Sequence, residues 1–299
     1  MKVKKFRKFI RENYEGWLFN LPLMIGLLVF TFIPVFSSLY YSFLDTDGFT
    51  QSFVGLGNYI RIFTSDRDIG KVVVNTLTYT IISIVLNLVL SYLLALLVNQ
   101  KIKGVKTFRV IYYLPCIIPL VASGLLWKDI YDPTYGIFNK ILTSLGMPTS
   151  SFFQEASSSM FSLILMNLWT LGSGMILWLA AFKNIPKQMY ESASIEGANR
   201  FQRFIYITIP MSTPMIFFNV VTSIINTLQY NGTLTFAPRD GRGVDDSLYM
   251  YAVKIYWEAF ERGKLGYGSA LAWVLLIIVA IITFILFRTS KWVFYGEEY

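Results

Sequence analysis

The sequence predicts an all-α, polytopic membrane protein with six transmembrane helices and both termini cytoplasmic. Three observations carry that prediction. The 299 residues are 55% hydrophobic, and mean hydropathy is +0.52, outside the range of an ordinary soluble domain. Six runs hold no Asp, Glu, Lys or Arg: 16–44, 72–100, 110–127, 156–182, 204–238 and 265–287. A spanning helix needs about 20 apolar residues, and a charge at its centre costs roughly 2.5–3.5 kcal/mol on insertion scales. Finally, sixteen of the 26 Lys and Arg residues fall on alternate loops, which fixes orientation because cytoplasmic loops retain positive charge. That pattern suits a lipid bilayer and not a nucleic acid.

A basic cytoplasmic segment, residues 1–15, precedes the first span, which is too long for a cleavable signal and lacks a small-x-small site. Outer loop 45–71 follows, with Asn58–Phe63 as a short amphipathic helix. A tight inner loop, 101–109, leads to the third span, where Pro115 and Pro119 each remove a backbone hydrogen bond and bend the helix. The bend lines a cavity or serves packing alone, and both readings stay open. Asp132–Gly136 signals a turn, and Ile137–Leu145 can lie along the outer surface. After the fifth span, outer loop 232–265 carries Arg239, Arg242, Lys254, Arg262 and Lys264, a cation excess that the orientation rule leaves unexplained. The six-span transmembrane body covers 16–288, with the polar inner loop 183–209 inside it, and 289–299 forms a cytoplasmic tail.

Composition excludes several chemistries. There is no histidine, which removes Ser–His dyads, the HExxH zinc site and most proton relays. No metal site is expected. No phosphate-binding G-x4-G-K-[ST] loop occurs, and DGRGVDDS lacks the spacing of a calcium loop. Cys116 is alone inside a span, so it reads as a small apolar core residue. A stand-alone ion-coupled carrier or channel would want ionisable groups inside its spans, and the six runs have no acidic or basic residue.

The inner loop carries the specific signal. Ile185–Pro186 closes the fourth span, Lys187–Ala193 can run as a helix over the membrane face, and Gly197 permits a sharp turn. The run Glu191–Pro210, ESASIEGANRFQRFIYITIP, fits E-A-A-x2-D-G-A-x5-F-x2-I-x-L-P at Glu191, Ala193, Gly197, Ala198, Phe204, Ile207 and Pro210. Ser192, Glu196 and Ile209 are mild departures. This run resembles the cytoplasmic signature of binding-protein-dependent ABC importer permeases, of the type I importer fold. Phe108–Pro119, Trp127–Asn139 and Gly266–Ala272 are similar to the carbohydrate-uptake subfamily. The ending TSKWVFYGEEY resembles the first permease of a heterodimeric pair. The family's outer Gly-Gly-Pro is replaced by Phe236–Gly241.

That resemblance implies a multi-pass subunit of a bacterial cytoplasmic membrane that is not an enzyme and binds no cofactor. ATP and Mg would be bound by partner ATPases. Glu191, Ser192, Ala193, Ile195, Glu196, Gly197 and Ala198 would form the coupling helix that docks on one of two ATPase subunits. The other implied partners are a second permease subunit and an extracytoplasmic sugar-binding protein. The solute would be a sugar or oligosaccharide; a glycerophosphodiester is the alternative within the family. A substrate passage would be lined by Tyr113, Trp169, Thr170, Ser173, Asn219, Thr222, Ser223, Asn226, Thr227 and Tyr230. On the fifth span these polar residues recur at helical spacing on one face, with Asn167 beside Thr170 and Ser173 on the fourth. The same face could instead bind the second permease, and the residues alone leave the two roles open.

Overall fold

The structure, a computed structural model, describes residues 14–100 and 103–294. Most of the expected amino-terminal segment, Lys101, and the tail beyond Phe294 lie outside the described residues. Among the described residues, four helices are each long and apolar enough to span a membrane unbroken: α1 (Tyr14–Tyr41), α3 (Ile69–Val98), α10 (Arg200–Leu228) and α12 (Leu265–Arg288). The third and fourth expected spans are bent pairs. Val105–Ile117, comprising α4 (Val105–Tyr113) and a 3-10 turn, meets α5 (Leu120–Ile130) at 100°. α7 (Ala156–Leu168) meets α8 (Gly172–Asn184) at 46°.

The bends have different causes. At the first, Pro119 forces Ile118 out of the helical region, to φ −69° and ψ 127°, as expected for a residue before proline. The second contains no proline. The amides of Trp169, Thr170 and Leu171 bond three residues back instead of four, and the Cys116 thiol donates to the Thr170 carbonyl at 3.4 Å, beside the Ser173 amide and hydroxyl that also donate to it. The unbroken helix expected over 156–182 is therefore corrected to two. The fifth span is also shorter than its uncharged run: the helix ends at Leu228, and 229–238 turns through a 3-10 segment at Gly232–Thr235. A run without charge measures what lipid tolerates, not where helical hydrogen bonding stops.

The chain divides into two compact units. The first comprises described residues 14–66 and 255–274. It holds α1, a hairpin of β1 (Leu44–Thr46) and β2 (Gln51–Phe53), α2 (Gly57–Thr64), and the start of α12. No residue of α1 is buried within the chain, and a helix apolar on every side suits lipid. Trp273 Nε1 donates to Ser38 Oγ at 3.1 Å, and Glu258 pairs with Arg262 at 2.8 Å.

The second unit comprises 67–254 and 275–294 of the described residues. It includes α6 (Ile137–Ser144), α9 (Lys187–Ile195) and the first four residues of α11 (Tyr251–Tyr256). Its core joins Ala95 and Val98 of α3 to Met175, Trp178, Leu179 and Phe182 of α8 and Ile207 of α10. Trp178 Nε1 donates to Ser91 Oγ at 2.9 Å, satisfying the one polar atom that a buried indole brings. Two of the unexplained outer-loop cations find partners here. Arg242 pairs with Asp246 at 2.9 Å and lies over the Tyr249 ring; buried Lys254 sits 3.7 Å from Asp68.

Two spans share one device. The widened π-turns Leu28–Phe32 and Phe204–Thr208 each run directly into Ile–Pro, at Pro34 and Pro210. A proline ring clashes with the carbonyl four residues back. Opening the turn relieves that clash without ending the helix.

Candidate functional site

Two arrangements in the second unit can serve a transporter: a polar cavity inside the span region, and an exposed helix on the inner loop.

The cavity, about 310 Å³, is bounded by α3, α8, α10 and the segments at their ends. Eight of the ten residues expected on a substrate passage line it: Thr170, Ser173, Asn219, Thr222, Ser223, Asn226, Thr227 and Tyr230. Asn167 joins them. Two do not. Trp169 turns into an outer aromatic cluster, edge-on to Trp127 at 5.6 Å. Tyr113 lies at the end of α4, just before the 3-10 turn, and is no part of the cavity lining.

Sequence reasoning missed the contribution of α3, where Tyr79, Ser83 and Asn87 line the cavity. Their spacing of i, i+4 and i+8 was the available signal. The Tyr79 and Tyr230 rings lie 5.0 Å apart, tilted by 36°. Many lining groups bond back to their own helix: Asn219 Nδ2 to Met215 O at 2.9 Å, Thr222 Oγ1 to Phe218 O at 2.8 Å, and Thr227 Oγ1 to Ser223 O at 2.8 Å. Those bonds satisfy donors locally, while the oxygens keep acceptor capacity for a ligand. No Asp, Glu, Lys or Arg is among the lining residues.

The inner helix α9 starts after Pro186, which follows buried Ile185. It ends in two bonds that close a left-handed cap. Ala198 N–H donates to Ala193 O at 2.8 Å, and Gly197 N–H to Ser194 O at 3.2 Å. Gly197 adopts φ +86°, a conformation that L residues rarely reach without strain. The next helix begins at once. Asn199 and Gln202 form a reciprocal capping box, which satisfies donors left open at a helix start.

Glu191, Ser192, Ile195, Glu196 and Gly197 are exposed, whereas Ala193 and Ala198 are half-buried. Ile195 is 88% exposed, an apolar tip that an aqueous surface does not require. Residues outside the expected set hold the helix in place. Arg203 donates to Ser194 Oγ at 2.6 Å, and Tyr190 packs on the core while its hydroxyl meets Thr208 Oγ1 at 2.9 Å.

No family model matches the sequence. The Bacillus subtilis protein named probable ABC transporter permease YesP is 38% identical over 99% of this chain and 97% of its own. The chain belongs to the ABC transporter permeases. The trehalose/maltose transport system permease MalF of Thermococcus litoralis is 29% identical, covering 94% of this permease and 95% of its own length. A solved bacterial ABC transporter importing the acidic polysaccharide alginate superposes with TM-score 0.84 at 24% identity, covering 96% and 98% of the two chains. The alginate transporter in complex with an alginate pentasaccharide-bound periplasmic protein gives TM-score 0.83 at 22% identity, covering 95% and 96%. At that identity the likeness establishes the fold. This permease is therefore an integral membrane transport component, with its apolar helices arranged as in an importer.

Proposed function

We propose that this permease passes a sugar or oligosaccharide across a bacterial cytoplasmic membrane by alternating access. An extracytoplasmic solute-binding protein delivers the solute, a second permease completes the passage, and two separate ATPases supply the energy. This chain hydrolyses nothing and binds no cofactor; ATP and Mg sit on the ATPases. The carrying observation is the cavity of Asn, Ser, Thr and Tyr residues, with no acidic or basic side chain among its lining.

The chemistry follows from the lining. Amides and hydroxyls match sugar hydroxyls as donors and acceptors. The faces of Tyr79 and Tyr230 offer flat apolar surface to ring C–H groups. About 310 Å³ is at the small end of ligand pockets, about 300–1,000 Å³, and fits a short stretch of an oligosaccharide. A glycerophosphodiester would bring a charged phosphate that this lining does not pair, and burying an unpaired charge is costly. An ion-coupled carrier would need an ionisable group in the same place. The relatives' names support a carbohydrate, since MalF of Thermococcus litoralis is named for trehalose and maltose.

Energy enters at α9. When two ATPases close on ATP, a docked helix moves with them, and Glu191–Ala198 differ in contact between the inward and outward states. Such a difference is what coupling requires. The test is uptake and solute-stimulated ATP hydrolysis by the reconstituted complex, with loaded binding protein, for unaltered permease and Gly197→Val. Sugar-dependent stimulation lost in an assembled mutant complex supports the assignment. Normal coupled transport by the mutant would overturn the role of α9, and absence of stimulation by any sugar would overturn the substrate class.

A further inference from the structure

We propose that α2 and α6 each lie in the outer leaflet, with an apolar stripe set at the boundary between lipid headgroups and acyl chains. The stripe on α2 is Leu56, Ile60 and Phe63, and that on α6 is Ile137, Ile141 and Leu145. The spacing i, i+4, i+7 or i+8 puts each set on one face. All six side chains are 48–74% exposed, though each helix is well ordered by polar bonds on its other side. Contiguous exposed apolar surface marks an interaction site on a folded protein, and an amphipathic helix beside a membrane span suits the lipid boundary.

The depth of each helix follows from how it is tied down. Asn58 Nδ2 on the buried face of α2 donates to the carbonyls of Ser42 at 3.0 Å and Leu44 at 2.8 Å. Ser42 is the first residue beyond α1, so α2 is pinned where the chain leaves the membrane. Thr64 is then five residues from Ile69, the start of α3, a reach of at most about 18 Å. In the second unit, Asn139 Nδ2 donates to Pro133 O at 3.1 Å and Ser150 O at 2.9 Å. Pro133 lies three residues past the end of α5 at Ile130. Each unit thus independently anchors an outer-loop helix at the end of a span and leaves its apolar side open. Exposed Lys140 on α6 is placed to extend its ammonium to the headgroups while its stem stays in the boundary. Lipid is the occupant, because each stripe is held within a few residues of a span end, where the bilayer boundary lies.

The test is nitroxide labelling of the assembled transporter in nanodiscs, in a Cys116→Ala background, at Phe63→Cys and Ile141→Cys. References are Phe30→Cys, exposed midway along α1, and Asp245→Cys, exposed on the outer loop. Collision with oxygen should exceed collision with a water-soluble nickel chelate severalfold at 63 and 141, with depths between the two references. Chelate-dominated collision, as at 245, would show an aqueous surface and overturn the proposal. Labels shielded from both reagents would also overturn it: shielding only after adding binding protein assigns the stripes to that protein, and constant shielding assigns them to the second permease. As a check free of substitutions, an acyl-chain diazirine lipid should crosslink to peptides containing α2 and α6 in the unaltered complex. Absence of crosslinks there, with crosslinks on α1, would count against the proposal.

Discussion

The Tyr190 hydroxyl lies 2.9 Å from Thr208 Oγ1, joining the inner helix α9 to the π-turn at the foot of α10. The same α10 lines the cavity farther along with Asn219, Thr222 and Asn226. A displacement of α9 therefore reaches the cavity wall through this bond, the Arg203–Ser194 bond and one continuous helix. Tyr190→Phe keeps the ring packed and removes the bond. A neutral hydrogen bond is worth about 0.5–1.5 kcal/mol net, so the number of solutes moved per ATP should fall, with the Arg203–Ser194 bond keeping the loss partial. Uptake and hydrolysis measured on the same proteoliposomes check this; an unchanged ratio would remove the bond from the coupling route.

Gly197 separates conformational demand from space. Its φ is +86° and nothing lies within 4 Å of a built Cβ, so a substitution there meets backbone strain rather than a clash. A left-handed conformation costs an L residue about 1–2 kcal/mol, less for Asn than for a branched side chain. Gly197→Asn should retain most sugar-stimulated ATPase activity, whereas Gly197→Val should lose most of it with the complex still assembled. Equal activity in the two variants would contradict this account.

In the cavity, Tyr79→Leu removes one ring of the Tyr79–Tyr230 pair, while Tyr230→Phe keeps both rings. If the rings stack on sugar, Tyr79→Leu should raise the solute concentration for half-maximal stimulation about 5- to 10-fold, in line with about 1 kcal/mol for an aromatic contact. Tyr230→Phe should change it less. A titration of stimulated hydrolysis against loaded binding protein gives the comparison, and the reverse order would assign recognition to the Tyr230 hydroxyl.

Gly172 is a steric position. A Cβ there would lie 2.0 Å from the Tyr112 carbonyl oxygen and 2.9 Å from Tyr113 Cα, all backbone. Gly172→Ala must push the bent third and fourth spans apart, at about 1–3 kcal/mol for overpacking. Gly26→Ala on α1 meets nothing within 4 Å and should be neutral. Thermal unfolding of the two variants in the same detergent should separate them by several degrees, with only Gly172→Ala lowered.

The Asp132 turn responds to pH. The Thr134 hydroxyl, opposed by slight desolvation and aided by the Thr134 and Tyr135 amides, holds its carboxyl below the usual carboxylate range. A lowered folded-state value means that the contribution is complete above the unfolded pKa, about 3.9, and fades as pH falls through the folded value. Protection of the Thr134 and Tyr135 amides, corrected for intrinsic exchange, should hold at about pH 7 and decline only below about pH 4. Loss of protection at higher pH would refute the assignment.

Much of this protein was legible in its residues, and the reasons are specific. The cost of charge in lipid placed all six span regions, because 16–44 and 72–100 contain no group that the bilayer would refuse. The Glu191–Pro210 pattern located α9, since its cap needs glycine at one position and its return needs Pro210. Asn219 to Tyr230 could be read as one polar face by helical spacing alone. The short outer helices were also visible, within a residue or two at each end.

Other features depended on contacts distant in sequence. The 46° bend at Trp169–Leu171 has no proline to announce it; the Thr170 carbonyl there takes a further donor from Cys116, 54 residues away. Trp169 packs on Trp127, while its neighbour Thr170 lines the cavity. Tyr79 and Asn87 joined the lining because α3 packs beside α8 and α10, a pairing that periodicity cannot supply. The outer-loop cations looked anomalous until Lys254 was found beside Asp68 and Arg242 beside Asp246. By itself the sequence determined which segments enter lipid, their orientation and the inner helix, because solvation and backbone propensity act locally. Which polar faces meet to enclose the cavity was decided only by tertiary packing, since hydrogen bonding and close contact depend on where distant helices come together.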